Sequence, residues 1–207
     1  QRRKRMIAGD FPIKNLNNYK DQFIAPTLGQ VMNSFKSDTI VDINYGIKIQ
    51  KSQLTDHDQE IPLTSEERRI NEAQKKYHTV YNKMNFPEDL STTARTMTAT
   101  CTRVSRESVV VNAGKDDVRR LSIRERATLQ GFPITYQFYG KSYSNRIKMI
   151  GNAIPPLLTY FIASAMLGKE LKEVNPRKKL KYVHSIPSIP RKPVKPEASA
   201  KKDSRSR

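Results

Sequence analysis

Arg119-Arg120-Leu121-Ser122-Ile123-Arg124-Glu125-Arg126-Ala127-Thr128-Leu129-Gln130-Gly131-Phe132-Pro133 and, after a short gap, Ile147-Lys148-Met149-Ile150-Gly151-Asn152-Ala153-Ile154-Pro155-Pro156 hold the strongest local signals in this chain. In the first stretch Ser122 and Glu125 form a capping box. The hydroxyl accepts from the backbone N–H three residues on, and the carboxylate reaches back to the N–H of Ser122. A helix opens there, and Gly131-Phe132-Pro133 ends it, since proline cannot continue the hydrogen-bond ladder. In the second stretch Gly151-Asn152 is loop chemistry, and Pro155-Pro156 has the fixed φ that suits a first helical turn. The apolar residues Leu157, Leu158, Phe161, Ile162, Ala165 and Met166 then share one broad face, which predicts a longer, well-buried helix.

Further out the signals thin. Thr64-Ser65-Glu66-Glu67 is another capping box and predicts a helix over about 65–76. Ile40-Val41-Asp42-Ile43-Asn44-Tyr45 and Ile47-Lys48-Ile49 alternate in part and predict short strands, within an otherwise weakly patterned stretch over 11–60. Residues 93–111 are rich in Thr and Val, which suits strands. Met6-Ile7-Ala8, closed by Gly9-Asp10 and Pro12, reads as a short strand ending in a turn.

Composition bounds the function. The 207 residues allow one domain, or one domain and part of another. Apolar residues make up 36%, below the roughly 45–50% of average globular chains, so the core is modest. No apolar run reaches the ~18 residues of a membrane-spanning helix. No apolar segment follows the basic start as a signal peptide requires. The single cysteine, Cys101, excludes an internal disulfide framework, and the three histidines lack ligand spacing, so no metal site is expected. Lys and Arg number 38 against 20 Asp and Glu, a net charge of +18. Half of that excess lies in residues 169–207, with thirteen basic and four acidic side chains. Such a block is either a solvated tail or a polyanion-binding one, and nucleic acid is its natural partner. Pro187, Pro190, Pro193 and Pro196 recur every third residue, the period of an extended polyproline helix, which reads as a linker before a ligand.

The two stretches quoted first resemble motifs IX and X of the cytosine-5 DNA methyltransferases, in the family's order and at its spacing. Gln1-Arg2-Arg3-Lys4-Arg5, followed by an apolar run, is similar to motif VIII. Thr93-Ala94-Arg95-Thr96-Met97-Thr98-Ala99 is similar to the Thr-aliphatic element near the end of the family's target-recognition region, with Met97 in the aliphatic place. The resemblance covers residues 1 to about 172. The family's Phe-x-Gly-x-Gly, Pro-Cys-Gln and Glu-Asn-Val motifs do not occur in this sequence. Cys101, with no proline before it, reads as a packed small residue and not as the nucleophile.

That resemblance implies an α/β fold: a small, mostly β recognition domain beside a partial, Rossmann-like domain for S-adenosyl-L-methionine (AdoMet), completed by a missing N-terminal portion. The boundaries it implies are 1–10 for the motif VIII strand closing the catalytic domain, 11–118 for recognition, 119–172 for motifs IX and X, and 173–207 for a disordered basic tail. The implied activity is methyl transfer from AdoMet to C5 of a flipped cytosine in double-stranded DNA, within a restriction-modification system. The chain would be a truncated piece or one subunit of a split enzyme, inactive alone, intracellular, DNA-associated and free of membrane. The implied roles place Arg5 on the cytosine O2 and Arg3 in support of that pocket. Asn152, Ala153 and Ile154 line the AdoMet pocket. Arg95, Thr96, Met97, Arg103 and Arg106 lie at the DNA. Arg119, Arg124 and Glu125 organise the helix and brace the recognition region. A basic nucleic-acid-binding protein without catalysis is the rival reading, separated from the first by a partner chain bearing the nucleophile loop.

Overall fold

The computed structural model describes residues 6–9, 12–20, 25–57, 60–76 and 84–169. The expectations for Arg2, Arg3, Lys4, Arg5 and the tail over 173–207 lie outside the described residues. Along the described chain run α1 (Ile13–Lys20), α2 (Leu28–Ser34), β1 (Thr39–Val41), β2 (Lys48–Gln50), α3 (Ser65–Lys76), β3 (Val110–Gly114), β4 (Asp117–Arg120), α4 (Ile123–Leu129), α5 (Tyr143–Asn152) and α6 (Pro156–Met166).

Capping boxes set three helix starts. Ser122 Oγ accepts from Glu125 N at 3.1 Å, and Ser122 N donates to Glu125 Oε2 at 2.7 Å. Thr64 and Glu67 repeat the exchange at 3.2 and 2.9 Å, and Thr27 and Gln30 do so at the head of α2 at the same distances. Each arrangement satisfies end donors that a helix cannot satisfy internally.

The strands form two antiparallel hairpins, β1–β2 with Ile40 opposite Ile49, and β3–β4 with Val110 opposite Arg120. Ile40 and Ile49 point inward while their strand neighbours face solvent. They join Leu28, Val31 and Phe35 of α2, with Met97, Val111, Leu121 and Leu129, in the first core cluster. A second cluster links Ile123 and Ala127 of α4 to Phe132, Phe138, Ile147 and Ile150. All seven residues of α4 are buried, so this helix is the spine between the two clusters.

Three expectations need correction. The described part of 11–118 is mixed, not mostly β: it holds α1, α2 and α3, and its strands run only three to five residues. The Thr- and Val-rich stretch stays irregular up to Val109 because side chains take its carbonyls in place of a partner strand. Arg95, for one, donates to the carbonyls of Arg106 and Ser108 at 3.2 and 2.8 Å. Met6-Ile7-Ala8 is irregular and pairs with no strand among the described residues, and Met6 is 95% exposed. The helix α6 packs Ala165 against Tyr19 and Leu16 of α1 and buries Leu157 beside Gly131, yet Met166 is exposed. The segment Tyr143–Met166 is apolar enough to cross a membrane, but Ala153 to Pro155 break it into helices of ten and eleven residues. At about 1.5 Å per residue neither helix reaches the ~30 Å of a bilayer core.

Candidate functional site

Three consecutive buried charged side chains on α4, Arg124, Glu125 and Arg126, together with Arg119 and Arg120 of β4, dictate how the surrounding loops fold. A buried guanidinium needs hydrogen-bonding partners, and those partners come from distant segments. Arg119 clasps Glu125 with two hydrogen bonds of 2.8 Å. Burial pushes the Glu125 carboxyl up, but the Arg119 hydrogen bonds and charge outweigh it and hold the group below the usual range. Arg124 is fully buried with Asp56, bonded through Nε at 2.9 Å and again through Nη2. Asp56 also accepts from Phe138 N at 3.0 Å, so one ion pair anchors the 133–138 loop. Arg126 donates to Cys101 Sγ at 2.9 Å, which makes Cys101 a packed partner inside the second core. Arg120 reaches Glu60 at 3.0 Å and stacks on Tyr143 at 4.4 Å.

The end of α4 meets the turn at the end of α5 that carries Asn152, Ala153 and Ile154. Gln130 is 1% exposed, and its Nε2 donates to the carbonyls of Ile150 and Ala153 at 3.3 and 2.9 Å. Those carbonyls lie at the end of α5, where intrahelical partners run out. Gly131 has φ +85°, and a Cβ there would touch Leu157 at 3.4 Å, so α6 seats directly on this turn. Gly151 is tighter still. A Cβ would lie 2.2 Å from Ala99 N and 2.4 Å from Thr98 C, so only glycine admits the backbone of 98–99 against α5. Asn152 is exposed, Ala153 half-buried and Ile154 59% exposed.

The residues expected at DNA are tied to the protein in this structure. Met97 is 1% exposed and part of the first core, and Thr96 beside it is half-buried. Arg95 pairs with Glu88 at 2.6 Å. Arg103 bonds Glu67 at 2.5 and 2.8 Å and the Pro62 carbonyl at 2.7 Å, which drops the Glu67 carboxyl to about 2. Arg106 donates to the Gln74 carbonyl at 3.2 Å. Lys75, fully buried, donates to Asn71 Oδ1 at 2.8 Å, and burial with the nearby Arg95 charge lowers it to about 8. These contacts lash α3 to the 84–108 segment. Residue type alone does not reveal them, because Glu67 lies 36 positions from Arg103.

Sequence reasoning missed Gln130, Gly151 and Asp56 as organisers. The available signal was chemical: a fully buried arginine on α4 demands a carboxylate, and Asp56 meets that demand.

Two hairpins and the helix pair α5 and α6 thus surround the buried helix α4. The family model for C-5 cytosine-specific DNA methylase matches residues 1–168, and the chain belongs to that family. Among curated relatives it is 52% identical over 62 residues to type II methyltransferase M.FnuDI of Fusobacterium nucleatum, covering 30% of this chain and 17% of that protein. It is 46% identical over 55 residues to type II methyltransferase M.NgoPII of Neisseria gonorrhoeae, covering 26% and 16%. It is 45% identical over 58 residues to DNA (cytosine-5)-methyltransferase 1B of Oryza sativa subsp. japonica, covering 28% and 3%. The chain thus spans less than one fifth of the length of these relatives.

Proposed function

We propose that this chain supplies the DNA-recognition and C-terminal part of a cytosine-5 DNA methyltransferase, acting with a portion that bears the Pro-Cys-Gln and glycine-rich cofactor loops. One observation carries the reading. Within the span matched by the family, the 98–99 backbone packs on Gly151, one residue before the exposed Asn152-Ala153-Ile154 turn. Recognition and cofactor roles then meet at one backbone contact.

AdoMet, when bound, supplies the methyl group. In this reading Asn152 and Ile154 line its site, and Gln130 holds their turn in place. The target base must leave the duplex stack, at a cost of about a few kcal/mol. Arg5 meets the flipped cytosine at O2 and stabilises the negative charge that builds there when a thiolate adds to C6. A guanidinium suits that task, since it stays charged and presents fixed donors. Arg3 supports the same pocket. Arg2 and Lys4 have no part in that pocket in this reading. Arg95, Arg103 and Arg106, held by their carboxylate and carbonyl partners, shape the recognition surface that faces phosphate and base. The basic tail adds sequence-independent attraction to double-stranded DNA, and the system resembles restriction-modification methylation.

The roles are tested in the enzyme assembled from this chain and the complementary portion. Arg5→Ala should slow single-turnover methyl transfer at saturating DNA and AdoMet by roughly 10²–10³, the usual loss for one oxyanion donor. Arg2→Ala should leave that rate nearly unchanged. Equal, small effects from both would reduce the N-terminal cluster to a plain basic patch.

A further inference from the structure

Between the end of α2, the β3–β4 hairpin and the start of α4 lies a cavity of about 570 Å³, within the ~300–1,000 Å³ typical of small-ligand sites. Phe35 and Lys36 from the end of α2, Lys51 after β2, His57, Asn112 of β3, and Arg119 with Glu125 are among its lining residues. The wall has two kinds of chemistry. One part is flat and aromatic: the Phe35 and His57 rings stack at 4.9 Å with 21° between their planes. The other is cationic. Arg119 and Glu125 neutralise each other, whereas Lys36 and Lys51 form no ion pair among the described residues. Among the described residues the lining thus carries two lysines, Lys36 and Lys51, that stand outside any ion pair.

His57 adds a polar edge to the aromatic wall. Its Nδ1 lies 3.4 Å from Ser122 Oγ, and the ring tautomer sets which of the two donates. Burial, and the charge of Lys51 with it, lowers the imidazole against the opposing pull of Glu125 and Asp56.

We propose that this cavity binds a single nucleotide, with the phosphate between Lys36 and Lys51 and the base continuing the Phe35–His57 stack. An ammonium pair selects an anion. Stacking selects a flat ring and tolerates any base, because every base has a π face. The same chemistry disfavours AdoMet, whose sulfonium would face two like charges. The nucleotide comes either free from solution or as an unstacked unit of a DNA strand. The site needs no catalytic partner, so the proposal stands apart from the methyl-transfer reading.

The test uses the full 207-residue chain, isotopically labelled and followed by amide NMR. Deoxycytidine 5′-monophosphate should give saturable shifts centred on Lys36, Lys51, His57 and Asn112, with affinity of about millimolar order, as one phosphate and one stacked ring allow. The Lys36→Ala, Lys51→Ala double variant should weaken binding at least tenfold while the rest of the spectrum stays unchanged. His57→Ala should weaken the nucleotide but not inorganic phosphate. A duplex with one unpaired nucleotide competing better than the free nucleotide marks the strand as the source; the reverse order marks the free nucleotide. Shifts centred elsewhere, no saturation by 10-fold above about 1 mM, or inorganic phosphate binding as well as the nucleotide would overturn the proposal.

Discussion

Replacing Gly151 by alanine puts one methyl group where the structure has none to spare. The new Cβ would lie 2.2 Å from Ala99 N and 2.4 Å from Ala99 Cα and Thr98 C, all of them backbone atoms. Carbon contacts are favourable near 3.5–4.0 Å, so α5 or the 98–99 segment must move by more than an ångström. Overpacking of this kind costs about 1–3 kcal/mol, at the upper end here because no flexible side chain can yield. Alanine returns up to about 1 kcal/mol of helix propensity, which leaves a net loss of about 2 kcal/mol. Gly140 is the internal comparison. Its nearest neighbour is Arg146 Cγ at 3.2 Å, part of a flexible side chain, and its φ lies outside the left-handed region. Gly140→Ala should be neutral or slightly stabilising, by up to about 1 kcal/mol, through the unfolded chain. Urea unfolding of both variants reads the difference directly. If Gly151→Ala proved as stable as Gly140→Ala, the 98–99 backbone would not pack on α5, and the contact joining the two halves of the site would be gone.

Two further outcomes follow from buried charge. Asp56→Ala leaves the Arg124 guanidinium buried without its carboxylate and should cost about 3–5 kcal/mol in urea unfolding, whereas changing exposed Glu66, paired with Arg69 on the α3 surface, to alanine should barely move the urea midpoint. Lys75 titrates near 8 in the folded chain against 10.5 ordinarily, so between those values the unfolded state binds more protons and stability rises with pH, by about 3 kcal/mol over the full window. Tyr143, pushed up to about 12 by burial, acts in the opposite sense above pH 10, so the rise is read from pH 7 to about 9.5; it should vanish in Lys75→Met.

How much of this was legible depends on how far each signal reaches along the chain. Capping boxes are local, and the helices after Thr64 and Ser122 begin where those residues predict. The Thr27–Gln30 box is as local, but the weak apolar pattern of residues 11–60 hides it. Strand composition over 93–109 misleads because that segment satisfies its carbonyls with arginine side chains. The arginines themselves are plain in the sequence; their partners are not. Arg124 finds Asp56 68 positions away, and Gln130 holds carbonyls 20 and 23 positions on. Gly151 reads as loop chemistry in sequence, and only the fold reveals the backbone lying against it.

Methyl incorporation tests the central claim most directly. The purified chain is mixed with duplex DNA and labelled AdoMet, with and without the portion bearing the Pro-Cys-Gln loop, and label is counted on cytosine C5. The account predicts no incorporation by the chain alone and incorporation once the portion is supplied. Incorporation by the chain alone, abolished by Cys101→Ser, would contradict it, because Cys101 would then be a nucleophile and not a packed neighbour of Arg126.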